Sequence, residues 1–442
     1  MAETLQDPLF HVMAKPTGAA CNLDCDYCFF LKKDRLYPGS RFRMSDEVLE
    51  SYVRQALQAN QRILAWQGGE PTLMGLDFFR RAVALEKKYL KPGQPIENSF
   101  QTNGILLDDE WCEFLRENRF LVGISLDGPR ELHDAHRKDK GGNPTFDRVV
   151  AAIRRMQAHQ VEFNILCTVN AVNGRHPLEV YRFFRDEIGA RYLQFIPIVE
   201  REEEGTGGEG NSRGERGEGR GVEQPSSSFP PSTLDSRPSA IQAGGEGEKI
   251  TERSVRPEQY GRFLNEIFDE WVRRDVGTVF VPFFDAVLTA YVYGESSVCI
   301  LRPTCGDNLV LEHNGDLYSC DHFVEPQHLL GNIVRTPLAE LALGEQQRAF
   351  GQAKSAALPR MCRECKWLFT CHGECPKNRV LKTPDGEPGL NWLCAGLTAF
   401  FEHVEQPMKA MADLLKQGRY ADEIMPEMSK QRDAVAACRA EK

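Results

Sequence analysis

The sequence has 442 residues, 41% of them hydrophobic, and its 64 acidic and 54 basic side chains give a net charge of −10. This length predicts two domains, and the negative balance argues against nonspecific binding to nucleic acid or anionic membranes. No apolar run approaches the length of a membrane span, and the N-terminus lacks the pattern of a signal peptide. We therefore expect a cytoplasmic protein, in which clustered cysteines indicate metal sites rather than disulfides.

Short apolar segments alternate with longer amphipathic segments over the first 200 residues. Strands are predicted at residues 10–14, 63–66, 97–101, 120–125, 162–169 and 192–197, and helices at residues 45–59, 76–89, 108–118, 146–159 and 177–188. This alternation predicts an α/β fold with a parallel sheet, either an incomplete (β/α) barrel or an open doubly wound sheet. In both folds the functional groups collect at the carboxyl ends of the strands.

The second half of the chain changes character. Residues 201–249 are rich in Glu-Gly, Arg-Gly and Ser-Pro combinations, which predicts a disordered insertion, and we favour a solvated spacer over a docking element. Helical periodicity resumes at residues 257–274. A cysteine-rich region at residues 299–394 follows, which we expect metal ligands to hold together, and then a helical tail to residue 442.

Three cysteines follow the first predicted strand. Cys21, Cys25 and Cys28 have the spacing C-x3-C-x2-C, so three thiolates can converge on one centre from a single loop. A cubane iron–sulfur cluster has four irons, and three ligands leave one iron open for chemistry. The alternative is a structural zinc site with a distant fourth ligand.

Glycine-containing polar motifs follow the next three strands. Gly68, Gly69 and Glu70 come after the second strand, where paired glycines allow close backbone approach and the carboxylate could receive an ammonium group. Ser125 ends the fourth strand, and Arg137 follows it. Each motif alone is also explained by ordinary turn chemistry or, for Arg137, by an exposed arginine.

Eight further cysteines form two potential four-thiolate sites. The residues are Cys299, Cys305, Cys320, Cys362, Cys365, Cys371, Cys375 and Cys394. Iron–sulfur clusters and zinc sites both fit this spacing. Cys112 and Cys167 lie in apolar segments and are predicted to be core residues, and Cys438 lies in the tail.

With Tyr27 directly before the third cysteine, the triplet resembles the signature of the radical S-adenosylmethionine (SAM) enzymes. This resemblance implies a [4Fe–4S] cluster that binds SAM and cleaves it to a 5′-deoxyadenosyl radical. It also implies SAM contacts at Tyr27, at Gly68, Gly69 and Glu70 for the amino group, and at Ser125 and Arg137. Arg137 suits the carboxylate because a guanidinium binds it with two hydrogen bonds. Phe30 departs from the family, which often has a tyrosine there.

The downstream cysteines resemble the SPASM region of radical SAM peptide-modifying enzymes, most of all the anaerobic sulfatase-maturating enzymes. The resemblance implies two auxiliary [4Fe–4S] clusters. The first auxiliary set would be Cys299, Cys305, Cys320 and Cys375, and the second auxiliary set Cys362, Cys365, Cys371 and Cys394. Asp321, directly after Cys320, matches the family's catalytic base, with His322 as its rival.

The resemblance implies a partial (β/α)6 TIM-like barrel in residues 1–278, a SPASM domain in residues 279–400 and a helical tail in residues 401–442. The implied activity is oxidation of a sulfatase cysteine or serine to 3-oxoalanine (formylglycine). It would use SAM, three [4Fe–4S] clusters and a low-potential electron donor such as ferredoxin or flavodoxin. The alternatives are a peptide maturase that forms a thioether or carbon–carbon crosslink, and a zinc-stabilised interaction protein.

Overall fold

The computed structural model describes residues 10–202 and 250–430. Almost all of the insertion predicted at residues 201–249 lies outside the described residues, and so does Cys438. In the described part of the chain, no helix combines the length and the apolar character that crossing a membrane requires.

Eleven strands are found in the described residues, nine of them in one mixed sheet and two in a small hairpin. They are β1 (His11–Lys15), β2 (Ile63–Trp66), β3 (Glu97–Thr102), β4 (Phe120–Ser125), β5 (Phe163–Val169), β6 (Leu193–Pro197), β7 (Asn308–Glu312), β8 (Asp316–Tyr318), β9 (Leu329–Asn332), β10 (Leu381–Lys382) and β11 (Pro388–Leu390). The six strands predicted for the first 200 residues are therefore confirmed, with bounds that differ by at most one residue.

The order of the strands distinguishes between the two folds that the sequence left open. Strands β1 to β6 lie side by side in chain order, and every neighbouring pair is parallel. A doubly wound sheet reverses its order at a switch point, whereas this sheet does not. Because crossover connections are right-handed, an unreversed order puts all the helices on one face, and the sheet curls into a partial barrel.

The helices of the barrel follow the predicted pattern. They are α1 (Asp46–Gln58), α2 (Leu76–Tyr89), α3 (Asp109–Glu117), α4 (Arg130–Asp134), α5 (Phe146–Ala158), α6 (Pro177–Arg182) and α7 (Pro257–Arg274). The segment predicted as one helix at residues 177–188 is α6 followed by a π-helical turn, Phe183–Ile188.

The remaining helices belong to the second half of the chain. They are α8 (Pro282–Tyr293), α9 (Leu338–Ala342), α10 (Glu345–Ala356), α11 (Arg360–Arg363), α12 (Leu368–Cys371) and α13 (Cys394–Lys416). Helix α13 begins at Cys394 and runs past residue 401. It packs closely on α7, as the contact of Gly396 with Pro257 shows. A Cβ atom on Gly396 would lie only 1.9 Å from the carbonyl oxygen of Pro257. The two helices can approach this closely only where a side chain is absent.

The sheet continues from the barrel into the cysteine-rich region. Strand β7 pairs in parallel with the free edge of β1, over the register from His11–Asn308 to Lys15–Glu312. Strands β8 and β9 then extend the sheet in antiparallel pairs. Strand β1 is therefore hydrogen-bonded on both edges, and its carboxyl end lies between the barrel and the cysteine-rich region.

The interface between α2 and β3 contains a buried carboxyl group, that of Glu86. Glu86 of α2 is 5% exposed, and its Oε2 accepts a hydrogen bond from Asn98 Nδ2 at 3.1 Å, while its other oxygen has no hydrogen-bond partner among the residues that the structure describes. Burial raises the pKa of Glu86 to about 7, against the hydrogen bond from Asn98 and the charge of Lys87. Ionisation of Glu86 therefore opposes folding, and stability falls as the pH rises from about 4.5 to about 7.

We expect Glu86→Gln to stabilise the protein, because glutamine keeps an oxygen for Asn98 and cannot ionise. The gain in unfolding free energy should be larger at pH 8 than at pH 6 by about 1 kcal/mol. Denaturant unfolding under anaerobic conditions measures it, with the exposed Glu113→Gln as the control. A gain that does not grow between these two pH values would contradict the assignment.

Candidate active site

The cysteine triplet lies in the loop that follows β1. This loop is held by the glycine pair after β2, where the Gly69 N–H donates to the Gly18 carbonyl at 2.7 Å and the Glu70 N–H donates to the Ala20 carbonyl at 2.9 Å. A Cβ atom on Gly69 would lie 2.0 Å from the Ala20 carbonyl oxygen. Glycine is therefore required at residue 69, and the contact fixes the start of the loop next to Cys21.

The three thiols of the triplet share a site. All three line one cavity of about 430 Å³, here called the central cavity. The pKa of Cys21 and of Cys25 is raised to about 12 in each case, mainly by burial and in smaller part by negative charge on neighbouring cysteines of the triplet. Thiolates that repel one another in a buried site favour a cationic metal centre, which fits an iron–sulfur cluster.

Most of the predicted SAM contacts line the same cavity. Tyr27, Gly68, Gly69, Ser125 and Arg137 all do so. Together with the triplet, they form a wall made from the carboxyl ends of strands β1 to β4 and the loops that follow.

Glu70 is placed differently, behind this wall. Its buried carboxylate accepts hydrogen bonds from Thr72 Oγ1 at 2.6 Å, from Thr102 Oγ1 at 2.7 Å and from the Asn103 N–H at 2.8 Å. These contacts tie the end of β2 to the end of β3 and so hold the glycine pair in place. Direct contact between Glu70 and the SAM ammonium group stays a prediction.

A buried carboxylate organises Tyr27 and Arg137. Asp127 Oδ2 accepts hydrogen bonds from Tyr27 Oη at 2.5 Å and from Arg137 Nε at 3.0 Å. Its Oδ1 accepts the Thr168 N–H at 3.0 Å, and the Arg137 guanidinium carbon lies 5.5 Å from the centre of the Tyr27 ring. Arg137 is thus buried and paired, not on the open surface, and its orientation depends on Asp127.

The histidines that precede Arg137 have structural partners. His133 Nδ1 accepts the Asp127 N–H at 3.3 Å, and its Nε2 lies 3.0 Å from Thr145 Oγ1. His136 Nδ1 lies 2.9 Å from an oxygen of Asp26. These contacts give both histidines a structural role, since each orients a neighbouring segment of the chain.

Asp321, the predicted base, lines the central cavity as well. It forms an ion pair with Lys15, whose side chain is 2% exposed and whose ammonium lies 3.3 Å from the centre of the Phe30 ring. Burial alone would raise the pKa of Asp321, but the positive charges of Lys15 and Lys377 help to outweigh it and hold that pKa below its usual range. The cavity therefore contains an ionised carboxylate.

Two residues of this site were missed by sequence analysis. Lys15 ends the strand His11–Lys15, whose other residues gave no reason to expect a buried cation. Asp127 stands between Leu126 and Gly128 in a motif that was noticed only for Ser125. The available signal was the same for both, namely a charged residue at the carboxyl end of a barrel strand.

The structure brings the eight downstream cysteines together in two groups. Charge on Cys299 and Cys305 raises the pKa of Cys320, and charge on Cys320 and Cys305 raises the pKa of Cys375, in addition to the larger effect of burial. These are the four residues of the first auxiliary set.

The second auxiliary set behaves in the same way. Burial and then the charge of Cys394 raise the pKa of Cys362, and Cys394 and Cys362 contribute to the raised pKa of Cys371. Cys365 contributes to the raised pKa of Cys394. Among the described residues, no group of three or more histidine, cysteine, aspartate or glutamate side chains is close enough together to hold a single metal ion. Cys112 and Cys167 are fully buried core residues, as predicted.

Comparison with known proteins agrees with this geometry. Residues 16–184 match the Radical SAM superfamily, and residues 299–366 match the SPASM iron–sulfur cluster-binding domain. The serine-type anaerobic sulfatase-maturating enzyme of Bacteroides thetaiotaomicron is 44% identical over 91% of both chains. The cysteine-type enzyme of Clostridium perfringens is 33% identical over 92% of this chain and 100% of its own length.

A solved structure, native anSMEcpe with bound AdoMet and Cp18Cys peptide, superposes with a TM-score of 0.74 at 33% identity. It covers 92% of this chain and 99% of its own. The protein is therefore a radical SAM enzyme with a SPASM region, and it uses SAM and iron–sulfur clusters. More narrowly, it belongs to the family of anaerobic sulfatase-maturating enzymes.

We expect Asp127→Asn to weaken SAM binding about tenfold or more, because it leaves the buried Arg137 without its counter-charge. Equilibrium binding of SAM to the cluster-loaded protein measures this effect. The exposed Asp147→Asn, which also removes a carboxylate partner of an arginine, is the control. Unchanged SAM affinity in a folded, cluster-loaded Asp127→Asn protein would show that Asp127 does not organise the site.

Proposed function

We propose that this enzyme oxidises a cysteine or serine of a sulfatase to 3-oxoalanine, also called formylglycine. The supporting observation is that the cysteine triplet, the polar wall with Ser125 and Arg137, and the carboxylate of Asp321 line one cavity. A radical source and a proton acceptor can therefore reach the same side chain of a substrate. The names of the relatives from Bacteroides thetaiotaomicron and Clostridium perfringens support the same activity.

The rest of the central cavity suits a peptide segment. Its lining includes the apolar or aromatic side chains of Phe195, Ile198, Tyr260, Phe283 and Leu397. Such a lining excludes water from a reactive site once it is filled. When bound, SAM and the cluster supply the 5′-deoxyadenosyl radical that takes a hydrogen atom from Cβ of the target residue.

The oxidation then needs one proton and one electron to leave the substrate. Asp321 accepts the proton of the side-chain hydroxyl or thiol, and Lys15 holds the Asp321 carboxylate in position. The electron would be taken up by an oxidised auxiliary cluster, which one of the two auxiliary sets of cysteines would hold. A C=O bond forms directly from serine, whereas the C=S bond formed from cysteine is hydrolysed and releases hydrogen sulfide.

The cluster ligands follow from the cysteine groups. Cys21, Cys25 and Cys28 would hold the SAM-binding cluster, and the first and second auxiliary sets would each hold a fully ligated [4Fe–4S] cluster. With all four irons ligated by cysteine, the auxiliary clusters would serve as electron carriers. A cytoplasmic location, in which thiols stay reduced, suits all three clusters.

The iron content tests these ligand sets. Three four-iron clusters predict about twelve irons per chain. Cys375→Ala and Cys394→Ala should each lose about four, because they belong to different sets, while Cys112→Ala should lose none. Iron and sulfide analysis of the anaerobically purified proteins decides this point. Zinc in place of iron, or the loss of all clusters in a single variant, would contradict the assignment.

The activity is tested with a peptide that carries a sulfatase motif. We expect the reconstituted enzyme, SAM and a reductant to convert it without oxygen to an aldehyde-bearing peptide. Asp321→Asn should lower aldehyde formation by about a hundredfold or more, and Lys15→Met should lower it less, while both still form 5′-deoxyadenosine.

Mass spectrometry of the peptide and chromatography of 5′-deoxyadenosine measure the two products. Lys91→Met, at an exposed lysine outside the cavity, is the control for Lys15→Met. Crosslinked peptide without aldehyde would refute the substrate reaction, and full turnover by Asp321→Asn would refute the proton acceptor.

The electron donor is proposed to be a low-potential carrier such as ferredoxin or flavodoxin. A second pocket also reaches Cys21, and its charged lining residues are Lys32, Arg35 and Lys140 with Asp24 and Asp34. On a chain with a net charge of −10, this small local excess of positive charge offers a contact for an acidic carrier close to the cysteine triplet.

We expect Lys32→Glu and Lys140→Glu each to slow the carrier-driven reaction severalfold and to leave the dithionite-driven reaction unchanged. The reason is that a small reductant needs no docking surface. Lys91→Glu is the matched control on another face. Equal slowing with both reductants would show that the substitutions damage the site itself.

A further inference from the structure

His322 lies between two of the cysteine sites. It follows Asp321 in the short 3-10 helix Asp321–Phe323, directly after Cys320. Its Nδ1 lies 3.4 Å from the sulfur of Cys375. His322 also contacts the segment of the cysteine triplet. Its ring packs edge-on against the ring of Phe29, the residue after Cys28, with 5.8 Å between the ring centres.

The contact with Cys375 has a defined direction once a cluster is bound. A cysteine that ligates iron is a thiolate and has no proton to donate. The imidazole must therefore donate its Nδ1–H to the sulfur. The ring of His322 is held for this by the edge-on contact with Phe29, and Phe29 in turn lies under Lys377, whose ammonium is 4.4 Å from the centre of the Phe29 ring.

A hydrogen bond to a ligand sulfur changes the chemistry of the cluster. Reduction adds one negative charge, part of which falls on the sulfur ligands. An N–H donor stabilises that charge, so it favours the reduced form and raises the reduction potential. The donor and its hydrogen stay on the protein throughout, and only the cluster changes by one electron.

The geometry points to His322 as the residue that tunes the first auxiliary cluster, by donating its Nδ1–H to Cys375. This role rests on the proposed function in one respect, because there this cluster receives the substrate electron. The two neighbouring residues then have separate tasks: Asp321 takes the proton, and His322 adjusts the centre that takes the electron. His322 is in that case not an alternative base.

The test compares two substitutions in the cluster-loaded enzyme. His322→Phe keeps a ring against Phe29 but removes the donor, whereas His322→Asn can place its side-chain N–H close to the position of Nδ1. We expect a more negative midpoint potential for one auxiliary cluster in His322→Phe and a value close to that of the native enzyme in His322→Asn. Potentiometric titration monitored by electron paramagnetic resonance measures all three clusters separately.

Two results would overturn the inference. One is a His322→Phe enzyme with unchanged potentials, and the other is an equal shift in His322→Phe and His322→Asn, which would indicate altered packing. Neither measurement needs a substrate, so a failure of the sulfatase reaction would leave this result standing by itself.

If a His322 variant loses its iron, the inference can still be tested on the native enzyme. Native enzyme grown with 15N-labelled histidine should show hyperfine coupling of a histidine nitrogen to one reduced auxiliary cluster. Absence of that coupling from both auxiliary clusters would overturn the inference without any substitution.

Discussion

The active site depends on one shared strand. Strand β1 is hydrogen-bonded to β2 on one edge and to β7 on the other. The loop after β1 carries the cysteine triplet, and the chain that leaves β7 returns through β8 to Cys320 and Asp321. Since both segments start from the same part of one sheet, the cysteine triplet and Asp321, the proposed proton acceptor, line a single cavity.

Lys15 shows how this arrangement is stabilised. It is the last residue of β1, it is almost fully buried, and its ion pair with Asp321 joins the barrel to the cysteine-rich region. A buried ion pair adds little net stability, because desolvation of both charges offsets their attraction. The ion pair instead fixes the orientation of both side chains, because moving either one away would leave the other charged, buried and unpaired. The same argument applies to Asp127, which keeps Arg137 and Tyr27 in one geometry.

Local patterns in the sequence predicted much of this structure, and long-range contacts account for the rest. The strands of the barrel and the cysteine triplet have short-range signals, namely apolar alternation and cysteine spacing. The division of the eight downstream cysteines into two sets was implied only by the family resemblance. The parallel pairing of β1 with β7 joins residues about three hundred positions apart, and no local pattern encodes it. The position of Lys15 at a strand end was a local signal, but its ion pair could not be predicted, because its partner comes only with β7 and the turn after β8. The motif after β2 drew attention to Glu70 as a SAM contact. Its hydrogen bonds to Thr102 and Asn103 could not be predicted, because they depend on how two strands end side by side.

In the proposed reaction, hydrogen abstraction, proton removal and electron removal all act on one substrate residue inside the central cavity. The most direct measurement uses a sulfatase-motif peptide that carries deuterium at Cβ of its target residue. We expect 5′-deoxyadenosine to gain one deuterium for each aldehyde formed. Unlabelled 5′-deoxyadenosine formed together with aldehyde would contradict it, because the radical would then have taken its hydrogen from elsewhere.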